Sequence, residues 1–323
     1  MHPSFRSAAR LVAALALTAT GCAAPSAAPA PGVALEVAAG VYMVPGSGGE
    51  PDADNLGRVG NAGFIVGDSA VVAIDTGTSY AHGTALLAAI RRVTDKPVRL
   101  ALITHTRQEF LFGAVAFREQ GIAIAMHAKA ATLMTSRCEG CLKTLRRVLG
   151  DEAMRGTVMF KPDQTFDATH RIDTLAERPL QVLYFDHSSG PGDIAVLDAR
   201  SGVLFAGGLI DRGRIPDVGD SDLPGWRRAL QALHALAPKT VVPGHGPAGT
   251  ARSIDDEQRY LAQLEARVRA LMKADTPLSQ IADAASLPEF RHWDQYETTH
   301  RRNASIVFLR LEREQLFNTG SDR

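Results

Sequence analysis

Four apolar runs in this chain end in an acidic residue or a histidine, and this feature limits the possible folds more than any other. The runs are short and bounded by turns, which is typical of strands. Sheets in α/β proteins place their chemistry beyond the carboxyl ends of the strands. A single strand-end histidine is usually structural, whereas four such positions in order indicate a common site. They are Asp75 in IDTG, His105 in ITH, His187 in YFDH and His245 in PGHG.

Helices are predicted between these strands. A helix over 82–93 lies between the runs 61–77 and 99–105, and a long helix spans about 128–149. Two β-rich halves, each followed by helices, predict an α/β fold in which sheet packs on sheet with helices outside. The remaining predicted elements are a helix over 111–120 and strands over 41–46, 122–126, 180–187, 194–208 and 239–246.

The charge balance restricts the partners. The chain has 323 residues, with 35 Lys plus Arg and 35 Asp plus Glu. No long-range field therefore draws in nucleic acid or anionic lipid. With 45% hydrophobic residues, the chain is long enough to bury a large core. We expect a small-molecule substrate and no nucleic-acid partner, and the oligomeric state stays open.

The first 22 residues have the pattern of an export signal. Arg6 and Arg10 precede LVAALALTA, an apolar run too short to span a bilayer, and small residues lead to Cys22 in ATGC. This ending resembles a bacterial lipobox, in which the cysteine is acylated; the alternative is a plain signal peptide cut within the Ala-rich stretch. We expect a periplasmic protein that contacts the membrane only through a lipid on Cys22. Residues 23–35 then form a flexible tether.

The order of the strand-end motifs resembles the metallo-β-lactamase superfamily. That family carries a T-H-x-H-x-D-H loop, a G-H-x-x-G-D turn, an F-A-G-D strand end and a closing P-G-H-G. The resemblance covers about residues 36–250 and implies a four-layer αββα sandwich. Residues 251–323 resemble the helical tail of exported metallohydrolases associated with sulfur-oxidation or quinoprotein systems, and we expect them to pack on the domain. The matching positions are Asp75-Thr76-Gly77, Thr104-His105 with Gly113, His187 with Gly192-Asp193, Phe205-Ala206-Gly207 and Pro243-Gly244-His245-Gly246.

The resemblance implies a binuclear metal centre, but this chain lacks several of its ligands. His105, His187 and His245 are kept. The centre as the family builds it is therefore incomplete, and the H-x-H-x-D-H motif is degenerate. The replacements are Arg107 for the second histidine, Glu109 for the aspartate, Phe110 for the third histidine and Gly208 for the bridging aspartate.

The remaining residues are sufficient for a single catalytic zinc. Such a site needs three protein ligands and one open position for water, which the metal activates as a nucleophile. We expect one zinc per chain on His105, His187 and His245, with Glu109 as a further ligand or as general base. The protein would then hydrolyse an ester, thioester, lactone or amide. Arg107 would hold an anionic group of the substrate, and Asp75 would orient the histidine loop.

The alternative is a metal-free or weakly metal-binding periplasmic protein with a binding or accessory role. Arg107 and Glu109 would then form an ion pair that closes an abandoned site, or Arg107 would lie at the centre of an anion pocket. Phe110 would fill the volume left by the lost ligand and metal, because an empty cavity there would cost stability. Measuring the metal content of protein purified without added metal distinguishes the two hypotheses.

Cys138 and Cys141 form a C-x-x-C motif in the long predicted helix. The spacing of three residues puts both sulfur atoms on one face of that helix. In an oxidising compartment a disulfide or a redox-active thiol pair is expected. Metal ligation by the two thiolates is the remaining alternative, and it requires His127 or the site histidines as additional ligands.

Overall fold

The protein is described by a computed structural model that covers residues 32–320. The predicted signal, residues 1–22, and residues 23–31 of the predicted tether lie outside the described residues. The end of the tether is an exception, because the first strand already begins at Leu35. No helix in the described range is both long and apolar enough to cross a membrane.

Within residues 32–320, the first half of the chain forms a seven-stranded sheet in the order β1 to β7. Strands β1 to β4 pair antiparallel, and β4 to β7 pair parallel. The carboxyl ends of β4 and β5 therefore meet at one edge, which is where the site forms. The strands are β1 Leu35–Ala38, β2 Val41–Val44, β3 Ala62–Val66, β4 Val71–Ile74, β5 Val98–Ile103, β6 Ala123–His127 and β7 Gln164–Phe166.

The second half of the described chain forms a five-stranded sheet in the order β12-β11-β10-β9-β8. Its strands pair antiparallel except for β11 and β12, which are parallel. The pairing of β11 with β12 is irregular after Phe205, so the end of β11 departs from a regular ladder. The strands are β8 His170–Ile172, β9 Leu180–Tyr184, β10 Ile194–Asp198, β11 Val203–Asp211 and β12 Thr240–His245.

The helices cover the outer faces of both sheets. Helix α1 starts at an N-cap serine, Ser79, whose hydroxyl accepts a hydrogen bond from the His82 amide. The helix predicted over 111–120 is instead two short helices, α2 and α3, which are separated at Gly113. The backbone of Gly113 packs so closely against the carbonyl oxygen of Thr76 that any side chain at position 113 would collide with it. The helices are α1 Tyr80–Val93, α2 Gln108–Leu111, α3 Ala114–Glu119, α4 Ala128–Ala153, α5 Leu223–Ala235, α6 Arg252–Lys273, α7 Leu278–Ala284 and α8 Arg301–Gly320.

Three apolar clusters account for the layering. The central one joins the inner faces of the two sheets and includes Ile65, Leu102 and Phe205. A second packs α1, α3 and α4 on the outer face of the first sheet. The third packs α5, α6 and α8 on the second sheet. The protein is therefore a four-layer αββα sandwich with a helical C-terminal tail, as the sequence predicts.

A buried ion pair links the two sheets. The Arg178 guanidinium binds both carboxylate oxygens of Asp198, with the closer nitrogen–oxygen distance at 2.6 Å. It also donates hydrogen bonds to the carbonyl oxygens of Val66 and Ala39 on the first sheet. Because both charged side chains are at most 3% exposed, this contact fixes the position of one sheet relative to the other.

Candidate active site

Asp75 and Thr104 position the first histidine of the site. The backbone at Asp75, just beyond β4, has φ 58°, a left-handed conformation that aspartate tolerates better than most residues. Its carboxylate accepts hydrogen bonds from the backbone amide of Thr104 at 2.8 Å and from the Thr104 hydroxyl at 2.8 Å. The same hydroxyl oxygen lies 2.7 Å from Nδ1 of His105. Burial raises the pKa of Asp75 to about 7, so Asp75 acts on the histidine through Thr104 and does not face the cavity directly.

His105 is buried at the end of β5. Its Nε2 atom has no hydrogen-bond partner. The ring of Phe110 packs against the imidazole with 4.3 Å between the ring centroids. Burial, assisted by the charge of Arg107, lowers the pKa of His105 to about 3. His105 is therefore a neutral imidazole at pH 7, with one nitrogen facing the interior.

His245, at the end of β12, lies between two carboxylates. Its Nδ1 atom is 2.8 Å from Oδ1 of Asp211, and its Nε2 atom is 3.3 Å from Oε1 of Glu109. Burial alone would lower the pKa of His245, but Asp211 and Glu109 outweigh it and raise the pKa. Burial alone would raise the pKa of Glu109, but His245 and Arg107 hold it at about 2. The two carboxylates therefore favour the protonated form of His245, which lies between them.

Phe110 packs against both histidines. Its ring centroid lies 5.2 Å from that of His245, in an edge-to-face arrangement. The tip of the ring is so close to Gly60 that a Cβ atom at that position would lie 2.5 Å from Cζ of Phe110. Phe110 itself is fully buried. An apolar ring is thus in contact with both imidazoles.

Arg107 pairs with Asp217. One nitrogen donates to the backbone carbonyl of Asp217 at 3.0 Å, and another lies 3.6 Å from its carboxylate. The ion pair with Glu109 that we considered from the sequence is not formed in the described structure, although Glu109 is close enough for its charge to raise the pKa of Arg107. Arg107 faces a cavity of about 90 Å³ that is also lined by His105, Leu133, Ser189, Asp193, Asp217 and Asp220.

His187 does not lie with the other predicted ligands. It is exposed, and its Nε2 atom lies 2.7 Å from the carbonyl oxygen of Asp220. Counting back from Gly192-Asp193 with the spacing G-H-x-x-G-D places Ser189, and not His187, at the histidine position of the turn. Ser189 is buried and donates a hydrogen bond of 2.6 Å to Asp193. The motif spacing therefore indicates Ser189 at the histidine position of the turn, and His187 as a metal ligand stays a prediction.

Asp211 is a site residue that the sequence reasoning missed. It ends β11, three residues beyond Gly208, where the family would have its bridging aspartate. The signal available in the sequence was the charged end of the apolar run LFAGGLID. A side chain at Gly208 itself would collide with His105, since a Cβ atom there would lie 2.7 Å from Cδ2 of the imidazole.

The residues as arranged do not fit the expected zinc ion. Among residues 32–320, no three His, Cys, Asp or Glu side chains form a group that could hold a metal ion. In the predicted set of His105, His187, His245 and Glu109, the His187 side chain is exposed and its Nε2 atom is engaged by the carbonyl oxygen of Asp220. The Phe110 ring fills the space beside the two remaining histidines, and the permanent charge of Arg107 lies beside His105. We therefore derive no catalytic step through a metal.

Comparison with known proteins agrees with the fold. Residues 56–245 match the sequence model of the metallo-beta-lactamase superfamily. A metallo-beta-lactamase from Pontibacter korlensis superposes with a TM-score of 0.58 at 20% identity, covering 71% of this chain and 98% of that one. The metallo-beta-lactamase FIM-1 from Pseudomonas aeruginosa, in its mono-zinc form, gives a TM-score of 0.55 at 21% identity over 72% and 95%. At these identities the structures support the fold alone.

Proposed function

Since this chain belongs to the metallo-beta-lactamase superfamily, whose members are metal-dependent hydrolases, we propose that it is an exported member that works without a metal centre. Its role is to bind a small anionic molecule in the cavity at Arg107. The location of Phe110 is the observation that carries the proposal. A metal between His105 and His245 would require this fully buried ring to leave its place against the two imidazoles.

The charges around the cavity leave Arg107 available to an anion. Asp217 already has a second partner, since Arg302 lies 2.8 Å from its carboxylate. Asp220 is paired with Arg137. The contact between Arg107 and Asp217 is partly exposed, 28% and 31% for the two side chains, and such pairs contribute about 0–1 kcal/mol. An anion that takes over the guanidinium therefore leaves no carboxylate without a partner.

The size of the cavity limits the ligand. A volume of about 90 Å³ holds a carboxylate or phosphate group with a few further atoms. Arg107 supplies a planar fork of donors that matches such a group. The buried hydroxyl of Ser189 lies in the same lining. We infer a ligand whose anionic end enters the cavity while the remainder stays outside.

A hydrolase with a single zinc is the second candidate. It is favoured by one observation, namely that the Nε2 atom of His105 is buried without a hydrogen-bond partner. With Glu109 next to His245, two histidines and one carboxylate give the ligand number of a catalytic zinc site. In this candidate His105, His245 and Glu109 would hold the metal once the Phe110 ring had moved, and the metal would supply the Lewis-acid chemistry for hydrolysis of an ester, thioester, lactone or amide.

Two measurements separate the candidates. Protein purified without added metal should contain far less than one zinc per chain by elemental analysis. Binding of carboxylate and phosphate compounds, followed by calorimetry, should weaken about 10- to 100-fold in Arg107→Ala, because a charge-assisted hydrogen bond is worth about 1.5–3 kcal/mol. Arg302→Ala is the matched control, since it contacts the same Asp217 without lining the cavity.

The opposite results would support the hydrolase. These are one tightly bound zinc per chain, together with metal-dependent turnover of thioesters, phosphoesters, lactones or β-lactams that is lost in His245→Ala. Equal ligand binding by wild type and Arg107→Ala would remove the anion role.

A further inference from the structure

Two thiols that the proposed function does not use lie in the middle of α4. Cys138 and Cys141 are both free, and their sulfur atoms are 3.1 Å apart. Residues three apart in a helix have Cα atoms about 5 Å apart. This distance is within the range for a disulfide, about 4.4–6.8 Å. The two sulfur atoms can therefore form a bond without rearrangement of the helix.

The two thiols differ in accessibility. Cys138 is 1% exposed and belongs to the apolar cluster beneath α4, together with Met134 and Leu142. Cys141 is partly exposed. Only Cys141 can react directly with a molecule from solvent. Cys138 can react only with the Cys141 sulfur, after Cys141 has formed a mixed disulfide. This is the arrangement of an attacking thiol and a resolving thiol.

Cys141 lies on the helix face that leads to the Arg107 cavity. Leu133, Arg137 and Cys141 follow one another at intervals of four residues, which places them along one face of α4. Leu133 lines the cavity, and Arg137 pairs with Asp220 at its rim. The accessible thiol therefore lies on the same face of α4 as Leu133, about 12 Å along the helix from it, and one turn beyond Arg137.

The hydrogen bond between the two thiols favours a thiolate on the accessible cysteine. The Cys138 thiol beside it lowers the pKa of Cys141 to about 7, while Glu109 opposes this shift and Arg137 adds to it. The Cys141 sulfur, together with burial, raises the pKa of Cys138. The thiolate is the nucleophile in exchange reactions, and here it forms on the residue that solvent reaches.

We propose that Cys138 and Cys141 are a redox-active pair that exchanges with disulfides presented at the rim of the Arg107 cavity. The Cys141 thiolate attacks one sulfur of the incoming disulfide, whose S–S bond breaks and releases a first thiolate that takes up a proton. Cys138 then loses its proton and attacks the Cys141 sulfur, and the second thiolate leaves and is protonated. The pair is oxidised by two electrons to a disulfide, and the incoming disulfide is reduced to two thiols. This assignment is independent of the proposed anion binding.

The test uses oxidised glutathione on the full chain and follows Cys138 and Cys141 by alkylation and peptide mass spectrometry, which separates them from Cys22. Wild type should lose both thiols together as the ratio of oxidised to reduced glutathione rises, and dithiothreitol should restore them. Cys138→Ser should stop at a mixed disulfide with one glutathione on Cys141. Cys141→Ser should react at least about tenfold more slowly than Cys138→Ser, because its remaining thiol is buried. In urea the two single variants should react at similar rates, which shows that the fold causes the difference.

Three results would overturn the proposal. The first is equal reactivity of the two single variants in the folded state. The second is a wild-type pair that oxidised glutathione leaves as two free thiols. The third is a pair that forms a disulfide which dithiothreitol does not reduce under native conditions. Circular dichroism of both variants confirms that each is folded before its reactivity is compared.

Discussion

Replacing Phe110 with alanine tests the interpretation of the site most directly. The side chain is fully buried, and its ring packs against His105 and His245 at centroid distances of 4.3 and 5.2 Å. Truncating a buried phenylalanine to alanine typically costs about 3–5 kcal/mol, the value depending on how far the surroundings collapse. Because Gly60 and the two imidazoles line the space, we expect a loss of about 3 kcal/mol or more in the free energy of unfolding.

The same substitution should change metal binding. Removing the ring opens space beside the imidazole of His105, whose Nε2 atom has no hydrogen-bond partner, and beside that of His245, whose Nε2 atom lies 3.3 Å from Glu109. Phe110→Ala should therefore bind zinc more tightly than wild type. Since a ligand that binds only the folded state stabilises it, added zinc should recover part of the lost stability. Urea denaturation of both proteins, with EDTA and with a zinc excess, measures both effects.

Phe112→Ala is the control for this experiment. Phe112 is also fully buried, but it belongs to the cluster on the helix-covered face of the first sheet. It should lose comparable stability without gaining zinc affinity. A loss below about 1 kcal/mol in Phe110→Ala would show that the ring does not support the site. Zinc binding by wild type as tight as by Phe110→Ala would show that the ring does not exclude a metal, and would refute the reasoning.

Three further results are expected. Arg178→Met should cost about 3–5 kcal/mol, because it leaves the buried Asp198 carboxylate without its partner, whereas Arg200→Met, whose ion pair is exposed, should cost less than about 1 kcal/mol by urea denaturation. Burial holds the pKa of His105 at about 3, below its ordinary 6.5, so the contribution of the neutral imidazole to stability is present above pH 6.5 and is lost as the pH falls toward 3. The urea midpoint of His105→Gln should therefore fall less steeply between pH 6.5 and 4 than that of wild type. Equal slopes in the two proteins would contradict the pKa shift. If Cys22 carries a lipid, as we propose, Cys22→Ser should move the protein from the membrane to the soluble fraction on cell fractionation, and unchanged membrane association would exclude the lipid anchor.

Many elements of the fold are encoded by residues that are close together in the chain, and these elements could be predicted from the sequence. The apolar runs, their turns and the motif order predict both sheets, the helices outside them and the four layers. The same patterns place Asp75, His105 and His245 at strand ends, where the structure has them. Strand-end positions follow from hydrophobic periodicity and turn residues, which act over a few neighbours along the chain.

The spacing of the G-H-x-x-G-D turn identifies a position only when every residue between its fixed members is counted. The sequence reasoning chose His187 because it is a histidine near Gly192-Asp193, but the spacing of the turn selects Ser189. Two residues along an irregular turn separate a buried side chain from an exposed one. Residue type alone therefore does not identify a ligand where the backbone is neither strand nor helix.

The sequence by itself determined the αββα fold, the residue types available to the site and the loss of the binuclear ligand set. Only the tertiary structure decided what those residues contact. Asp211 meets His245 across 34 positions of sequence, and Arg107 meets Asp217 across 110. Glu109 could bind a metal, pair with Arg107 or pair with His245, and the packing of β12 beside the loop selects His245. The physical reason is that a buried charge takes whichever partner the fold brings within reach, and that distance depends on contacts between elements far apart in the chain.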